Sequence, residues 1–326
     1  MSKKAKSLND DLGKYLDAMT AGSILDSTLK EAINQELYST GFPFLDSRLG
    51  GGLYPDGLYV VSGMTELETT AICQQMAENM ANGGKDVIYF SLEASKELLI
   101  LKSIARTAYQ IALEKYKYPS EVRYCPSLAQ ISNKAGLEGL RSEEKETLEK
   151  AKERLRQSGS GKHLYYRDGA VISANVIEDA IVEHVMYSKK APIIFVDYLQ
   201  LLYPVSVSTT MYDDVRKNLR ELRGICRKYH TPIIAIYNIY KDIYSSEITM
   251  DDFSDSMNTD FIDGFIGLQY GGSASTSRSE RSYSKNDWRR DVKAFVLKQK
   301  NSFNTNGVRF KFFTEHELFS EEEYQH

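Results

Sequence analysis

Ser62-Gly63-Met64-Thr65-Glu66-Leu67-Glu68-Thr69-Thr70 stands between a strand and a helix. Upstream, Gly57-Leu58-Tyr59-Val60-Val61 reads as a short buried strand. Downstream, Ile72, Met76 and Met80 recur every four residues, one face of a helix that Gly83-Gly84 can end. Strand, loop and helix in this order are the context of the phosphate-binding motif G-x-x-x-x-G-K-[ST]. Thr69 fills the final hydroxyl position. Leu67 stands where the second glycine belongs, and Glu68 where the lysine belongs. The loop therefore has the position of a phosphate cradle and the wrong chemistry for one.

The 326 residues, 42% hydrophobic and 26% charged, are those of an ordinary globular protein. A formal net charge of -4 gives no global attraction to nucleic acid, so binding of that kind requires a local basic patch. Cys73, Cys125 and Cys226 are widely spaced and lack the pairing of a zinc site or disulfide framework. The five histidines show no paired metal spacing. No run is long enough to span a membrane and no signal-peptide core follows Met1, so a cytoplasmic protein is expected.

Residues 1–38 are polar, with one apolar stripe, Ile24-Leu25, Leu29 and Ile33, spaced for a short helix. The core is expected over 39–326. Strands are predicted at 57–61, 86–91, 163–166, 192–197 and 232–236, and helices at 70–82, 95–113, 173–188 and 211–229. This alternation predicts an α/β fold, a mainly parallel sheet with helices on both faces. Residues 118–160 read as helical and exposed, 271–290 as a mobile loop, and 292–300 and 307–313 as added C-terminal strands.

Two acids end buried strands. Asp197 closes Pro192-Ile193-Ile194-Phe195-Val196, a place from which a carboxylate can hold a magnesium ion or its waters. Glu93 follows Val87-Ile88-Tyr89-Phe90-Ser91-Leu92 and is placed to polarise a water.

The segments around these acids resemble the motor domain of DnaB-type replicative DNA helicases. They are Thr40-Gly41-Phe42-Pro43-Phe44-Leu45-Asp46 with Gly51-Gly52-Leu53, Phe90-Ser91-Leu92-Glu93, and Val196-Asp197-Tyr198-Leu199-Gln200-Leu201-Leu202. The Asp-Tyr-Leu-Gln-Leu run is the most specific. Pro232 to Asn238 resembles the family's sensor strand, with Asn238 where glutamine is usual. Lys298-Gln299-Lys300-Asn301 resembles the segment carrying a trans-acting arginine finger, with Lys300 in the arginine's place. The resemblance covers roughly residues 24–315. It implies a RecA-like P-loop NTPase core and a linker-like helix near 24–36. It also implies ATP and Mg2+ as cofactors, held around Ser62, Gly63, Glu68, Thr69, Thr70 and Lys298, with Thr69 and Asp197 at the metal and Glu93, Asp197, Asn238 and Lys300 in catalytic places.

The departures fall on the groups that hold phosphate. Leu67 adds a side chain where the backbone must wrap an anion. Glu68 reverses the charge of the lysine, and a charge pair about 4 Å apart at an effective dielectric of about 20 is worth roughly 4 kcal/mol. Turning attraction into repulsion swings binding by about twice that before screening. The expected protein is a DnaB-like replication factor with a degenerate loop, unable to use ATP in the standard way and needing no cofactor. One alternative is an active ATP-dependent helicase in which Lys85, Lys96, Lys298 or Lys300 supplies the missing charge. Another is a protein-interaction scaffold. Glu66, Glu68, Glu93 and Asp197 are also candidates to converge on one small volume, which either binds a divalent cation without nucleotide or holds raised carboxylate pKa values.

Single-stranded DNA, further copies of the chain in a ring, or an intact helicase are the partners expected. Tyr240, Lys241 and Tyr244 lie in a segment matching a channel-facing loop of the family. Arg281, Trp288, Arg289 and Arg290 interleave basic and aromatic groups, which suits stacking on single strands. The helix at 211–229 sets Arg216, Lys217, Arg220, Arg223, Arg227 and Lys228 opposite an apolar stripe.

Overall fold

The computed structural model describes residues 21–34, 36–64, 69–116, 122, 124–169, 171–204, 210–239, 248–251, 259–271, 289–299 and 307–322. The chain divides into two compact units, 1–37 and 38–326. The described part of the first is helix α1 (Ala21–Asn34), along which Ile24, Leu25 and Leu29 are exposed.

The second unit holds one sheet. Its strands are β1 (Leu58–Met64), β2 (Val87–Ser91), β3 (Leu164–Asp168), β4 (Ile193–Asp197), β5 (Ile233–Ile239), β6 (Gly264–Tyr270), β7 (Arg289–Gln299), β8 (Val308–Phe313) and β9 (Leu318–Glu321). They run in the order β3-β2-β4-β5-β1-β6-β7-β8-β9. Every pair from β3 to β6 is parallel, and β6 to β9 pair antiparallel. The fold is the mainly parallel α/β sheet that the alternating pattern predicts, with added strands at the C-terminal end.

The parallel strands read as unbroken apolar runs because both faces are covered. Alternate residues divide between the faces. Tyr59, Val61, Tyr89, Phe195, Ile234 and Ile236 pack beneath α3 (Thr69–Asn82), which contributes Ile72, Cys73, Met76 and Met80; α2 (Pro43–Arg48) lies in the same layer through Leu45. Leu58, Val60, Ile88, Phe90, Ile194, Val196 and Ala235 form the other layer. That layer is covered by α9 (Ala174–Ser188) and α10 (Met211–Tyr229). Asp46 ties down the lead-in to β1, accepting from the Thr40 amide at 2.9 Å, the Thr40 hydroxyl at 2.7 Å and the Ser39 hydroxyl at 2.6 Å.

Helix α4 (Lys96–Leu113) starts at Ser95, whose hydroxyl accepts from the Leu98 amide. The segment expected to be helical and exposed at 118–160 contains α5 (Leu128–Ile131), α6 (Lys134–Glu138) and α7 (Ser142–Gln157), with α8 (Ser160–His163) closing it. Helix α7 buries Thr147 and Ala151, the latter in a small cluster with Ala108 and Ile111 of α4. It is thus a packed cover on α4 with one charged face. The sequence pattern does not predict strands β6 and β9. Gly264-Phe265-Ile266-Gly267 carries two glycines, which break the usual strand signature; the register nevertheless seats Gly264 beside Tyr59, whose ring a Cβ there would meet at 2.4 Å. Of the 271–290 loop, 272–288 lies outside the described residues, and Arg289 and Arg290 open β7 instead of extending the loop.

A buried polar network joins α3, α4 and the turn before β9. Arg106 is 1% exposed, with Nη1 2.7 Å from Glu78 Oε2, and its Nε donates to the Glu317 carbonyl at 2.7 Å. Lys102 Nζ donates to Glu317 Oε2 at 3.0 Å. Gln74 Nε2 shares its two N–H groups among the Leu99 carbonyl, the Ser103 hydroxyl and the Tyr166 hydroxyl, all within 2.9 Å. The expected result of Glu78→Ala, which strands a buried guanidinium, is a loss of about 3 kcal/mol or more in urea unfolding, since breaking one side of a buried ion pair costs far more than the pair itself contributes.

Candidate functional site

Register places the candidate residues at one edge of the sheet. Ser91 lies opposite Asp197 on β2 and β4, and Gly63 lies opposite Asn238 on β1 and β5. In a parallel sheet the carboxyl ends of the strands face the same crevice, the usual ligand position in such folds. Strand β1 ends at Met64 and α3 begins at Thr69, so Glu66, Leu67 and Glu68 lie outside the described residues. The same is true of Lys300, Tyr240, Lys241, Tyr244, Arg281 and Trp288.

The described candidates fall into a connected set. The Thr70 hydroxyl donates to Asp197 Oδ1 at 3.2 Å, and the Tyr89 hydroxyl donates to Asp197 Oδ2 at 2.8 Å. The Thr69 hydroxyl donates to Asn238 Oδ1 at 3.1 Å. Gln200 fixes the end of β5, donating to the Asn238 carbonyl at 2.6 Å and accepting from its amide at 3.3 Å. The side chains expected together at a metal, Thr69 and Asp197, are thus directed to different partners: Asp197 takes its hydroxyl contacts from Thr70 and Tyr89. Ser62 is fully buried, and its hydroxyl donates to the Tyr237 carbonyl at 2.6 Å, within the sheet.

Asp197 is 2% exposed, and burial pushes its carboxyl up to about 6. Hydrogen bonds from Tyr89 and Thr70 oppose the rise, the charge of Glu93 adds to it, and the charge of Lys102 lowers it. Burial first, then the nearby Asp197 charge, holds the Tyr89 hydroxyl well above its ordinary value, so Tyr89 is a committed donor. Glu93 is exposed at the tip of β2. Tyr89, Gln200 and Lys102 are not among the site residues that the sequence singles out. The signal for Tyr89 is a phenol inside an apolar strand, a group that needs an acceptor once buried. For Gln200 it is an amide just beyond a buried strand.

Most of the other cations that the sequence singles out have local partners. Lys96 donates to Asp168 through both its amide and its Nζ, at 3.1 and 3.2 Å. Lys298 Nζ donates to the Thr259 carbonyl at 2.7 Å, and Lys85 Nζ lies 5.3 Å from the Tyr38 ring centroid. Arg290 donates to the Tyr270 hydroxyl at 3.1 Å, while Arg289 is exposed at the start of β7. On α10, Arg223 reaches the Asp56 carbonyl at 2.7 Å and pairs with Asp263, and Lys228 pairs with Glu178; Arg216, Lys217, Arg220 and Arg227 are exposed.

Other chemistries find no built site among the described residues. Cys125 Sγ lies 3.8 Å from His316 Nδ1, but burial pushes the thiol up to about 12 and the imidazole down to about 4, a neutral pair without an activated nucleophile. Among the described residues no group of three or more His, Cys, Asp and Glu side chains is arranged to hold a metal, and no helix is long and apolar enough to cross a membrane.

The family described as DnaB-like helicase C terminal domain matches residues 38–321. The chain is 22% identical over 279 residues to a probable replicative DNA helicase of Trieres chinensis, covering 84% of this chain and 55% of that one. It is 24% identical over 226 residues to the replicative DNA helicase DnaB of Helicobacter pylori strain J99, covering 69% of this chain and 41% of the relative. With the DnaB of Synechocystis it shares 28% identity over 222 residues, 67% of this chain and 22% of the relative. The chain therefore spans between about a fifth and just over half the length of these relatives. In fold it is similar to a solved ATPase domain, with a TM-score of 0.71 at 20% identity over 94% of this chain and 99% of that one. A DnaB-like replicative helicase whose structure is described with its interactions with primase gives 0.68 at 19% identity, over 97% and 71%.

Burial of Asp197 has a consequence for stability. The folded protein keeps the proton to about pH 6, whereas an aspartate in an unfolded chain releases it at about 4. Between these values the folded state binds more protons, so this group's contribution falls as pH rises through the window, by about 3 kcal/mol in all. Asp197→Asn removes that loss. Its stability relative to wild type, from urea unfolding, is expected to improve steadily from about pH 4 to about pH 7. A difference independent of pH contradicts the assignment.

Proposed function

Since the chain belongs to the DnaB-like helicase C terminal domain family, we propose that it is a replication protein keeping the RecA-like frame without ordinary use of ATP, acting as a nucleic-acid-binding or ring-forming factor. The observation that carries this reading is Leu67-Glu68 in the place of Gly-Lys, in a chain whose flanking motifs are otherwise legible. The lysine's work is to neutralise phosphate, and a glutamate there opposes it by several kcal/mol, on the order of the whole affinity of a millimolar ligand. Magnesium and ATP are accordingly not cofactors in this reading.

The alternative, an active ATP-dependent helicase, needs a substitute cation. Lys85, Lys96 and Lys298 have the partners described above, which argues against their recruitment, and Lys300 lies outside the described residues. Lys102, whose charge Asp197 feels, is tied to Glu317 in the buried network. The relatives named as replicative DNA helicases support DNA as the ligand; further copies of the chain or an intact helicase are the protein partners proposed.

The protein is expected to release phosphate from ATP at background rate, with or without single-stranded DNA. Hydrolysis that DNA stimulates and Asp197→Asn abolishes contradicts the proposal and favours the helicase reading. Binding to a fluorescent oligothymidylate is expected to be salt-sensitive: a track neutralising about three phosphates loses roughly twentyfold in affinity between about 50 and 200 mM salt. No binding at either concentration favours the scaffold.

A further inference from the structure

We propose that Tyr89 is a positioning residue that holds Asp197 as an internal hydrogen-bond acceptor and thereby denies it to a divalent cation. The inference rests on the reading of the chain as a lapsed ATPase, and it supplies a second device, separate from the loop, that keeps the site closed.

The strand register creates the contact. Tyr89 lies opposite Phe195, and Ser91 lies opposite Asp197, so Tyr89 and Asp197 are diagonal neighbours on adjacent strands. Alternation puts Tyr89, Phe195 and Asp197 on the same face of the sheet, beneath α3. A diagonal is within reach of a tyrosine but leaves a small side chain short. The hydroxyl meets Asp197 Oδ2 at 2.8 Å, and Thr70 takes Oδ1 at 3.2 Å.

The two donors differ in how firmly they are held. Thr70 is half-buried at the first turn of α3. Tyr89 is wholly buried. Its ring stacks on Phe195 at 5.6 Å with the planes 11° apart, and it meets the edge of Tyr166 at 5.8 Å. Tyr166 is anchored in turn by Gln74, which donates to its hydroxyl at 2.9 Å. The phenol therefore has no room to swing away and no solvent to turn to.

A hydrated cation holds a strand-end carboxylate through waters that donate to its oxygens. Each carboxylate oxygen offers two acceptor positions, and a water that took the one Tyr89 uses on Oδ2 would strand the phenol in an apolar layer, a cost comparable to a lost hydrogen bond to a charged group. An apolar residue at 89 imposes no such cost. The residues present therefore fit a magnesium site at Asp197 poorly, even apart from the loop.

Electron paramagnetic resonance titration with Mn2+ of the full chain tests this without reference to turnover. Tyr89→Phe is expected to bind Mn2+ about tenfold more tightly than wild type, the equivalent of one hydrogen bond to a charged group. The gain is expected to vanish in Tyr89→Phe with Asp197→Asn. Tyr89→Leu, which also lacks the hydroxyl, is expected to show the same gain should the Phe variant fold poorly by circular dichroism. Equal affinity of wild type and both variants, including no measurable binding by any, overturns the proposal. ATP hydrolysis by the wild type separates the two claims. Hydrolysis with a gain on removing the hydroxyl defeats the lapsed-ATPase reading and leaves Tyr89 as a brake. No hydrolysis and no gain defeats the Tyr89 inference alone.

Discussion

The carboxylate of Asp197 is the point on which the site depends. It ends a buried strand, it is almost without solvent, and its oxygens take the hydroxyls of Tyr89 and Thr70. Those contacts join β2, β4 and the first turn of α3. A charged group so placed is stable only while its acceptor positions are filled. In a working nucleotide site those positions are shared with a cation and its waters. In this chain the protein's own donors take one position on each oxygen.

The same constraint organises the surroundings. Thr69 turns to Asn238 instead of Asp197, and Gln200 clamps the backbone of Asn238 from the other side. The edge where nucleotide would be met is thereby knitted to itself by short polar contacts. Behind it, Arg106, Glu78, Lys102 and Glu317 form a charged layer between α3, α4 and the C-terminal hairpin. Buried ions contribute little net stability over apolar packing, but once present they punish the loss of any one member. The orientation of α3, and so the loop's exit, is fixed by that layer as well as by apolar packing.

Much of the fold was legible in the sequence for a simple reason. Apolar runs of five or six residues alternating with four-residue periodicity leave few arrangements other than a covered parallel sheet. The strand-end acids follow from that pattern, since a polar residue closing an apolar run marks the sheet's edge. What escapes are elements without a periodic signal. Strand β6 carries Gly264 and Gly267, and its central place arises from packing against Tyr59 and from pairing with β1. Strand β9 is only four residues long and is docked by Gln75, which exchanges hydrogen bonds with the backbone of Phe319. Arg289 and Arg290 belong by composition to a basic loop, and their strand state is set by pairing with β8. Tyr89 reads as core because an aromatic in a strand usually is core; its hydroxyl acquires meaning only through the diagonal register to Asp197.

On the proposed reading a RecA-like frame persists here while the means of holding a nucleotide phosphate have gone. Calorimetric titration of the protein with ATP in excess magnesium addresses it most directly, because it reads binding before any chemistry. No saturable heat is expected at ligand concentrations up to about a millimolar, where the loss of several kcal/mol at the loop places any residual affinity. A stoichiometric isotherm with a dissociation constant in the micromolar range would contradict it.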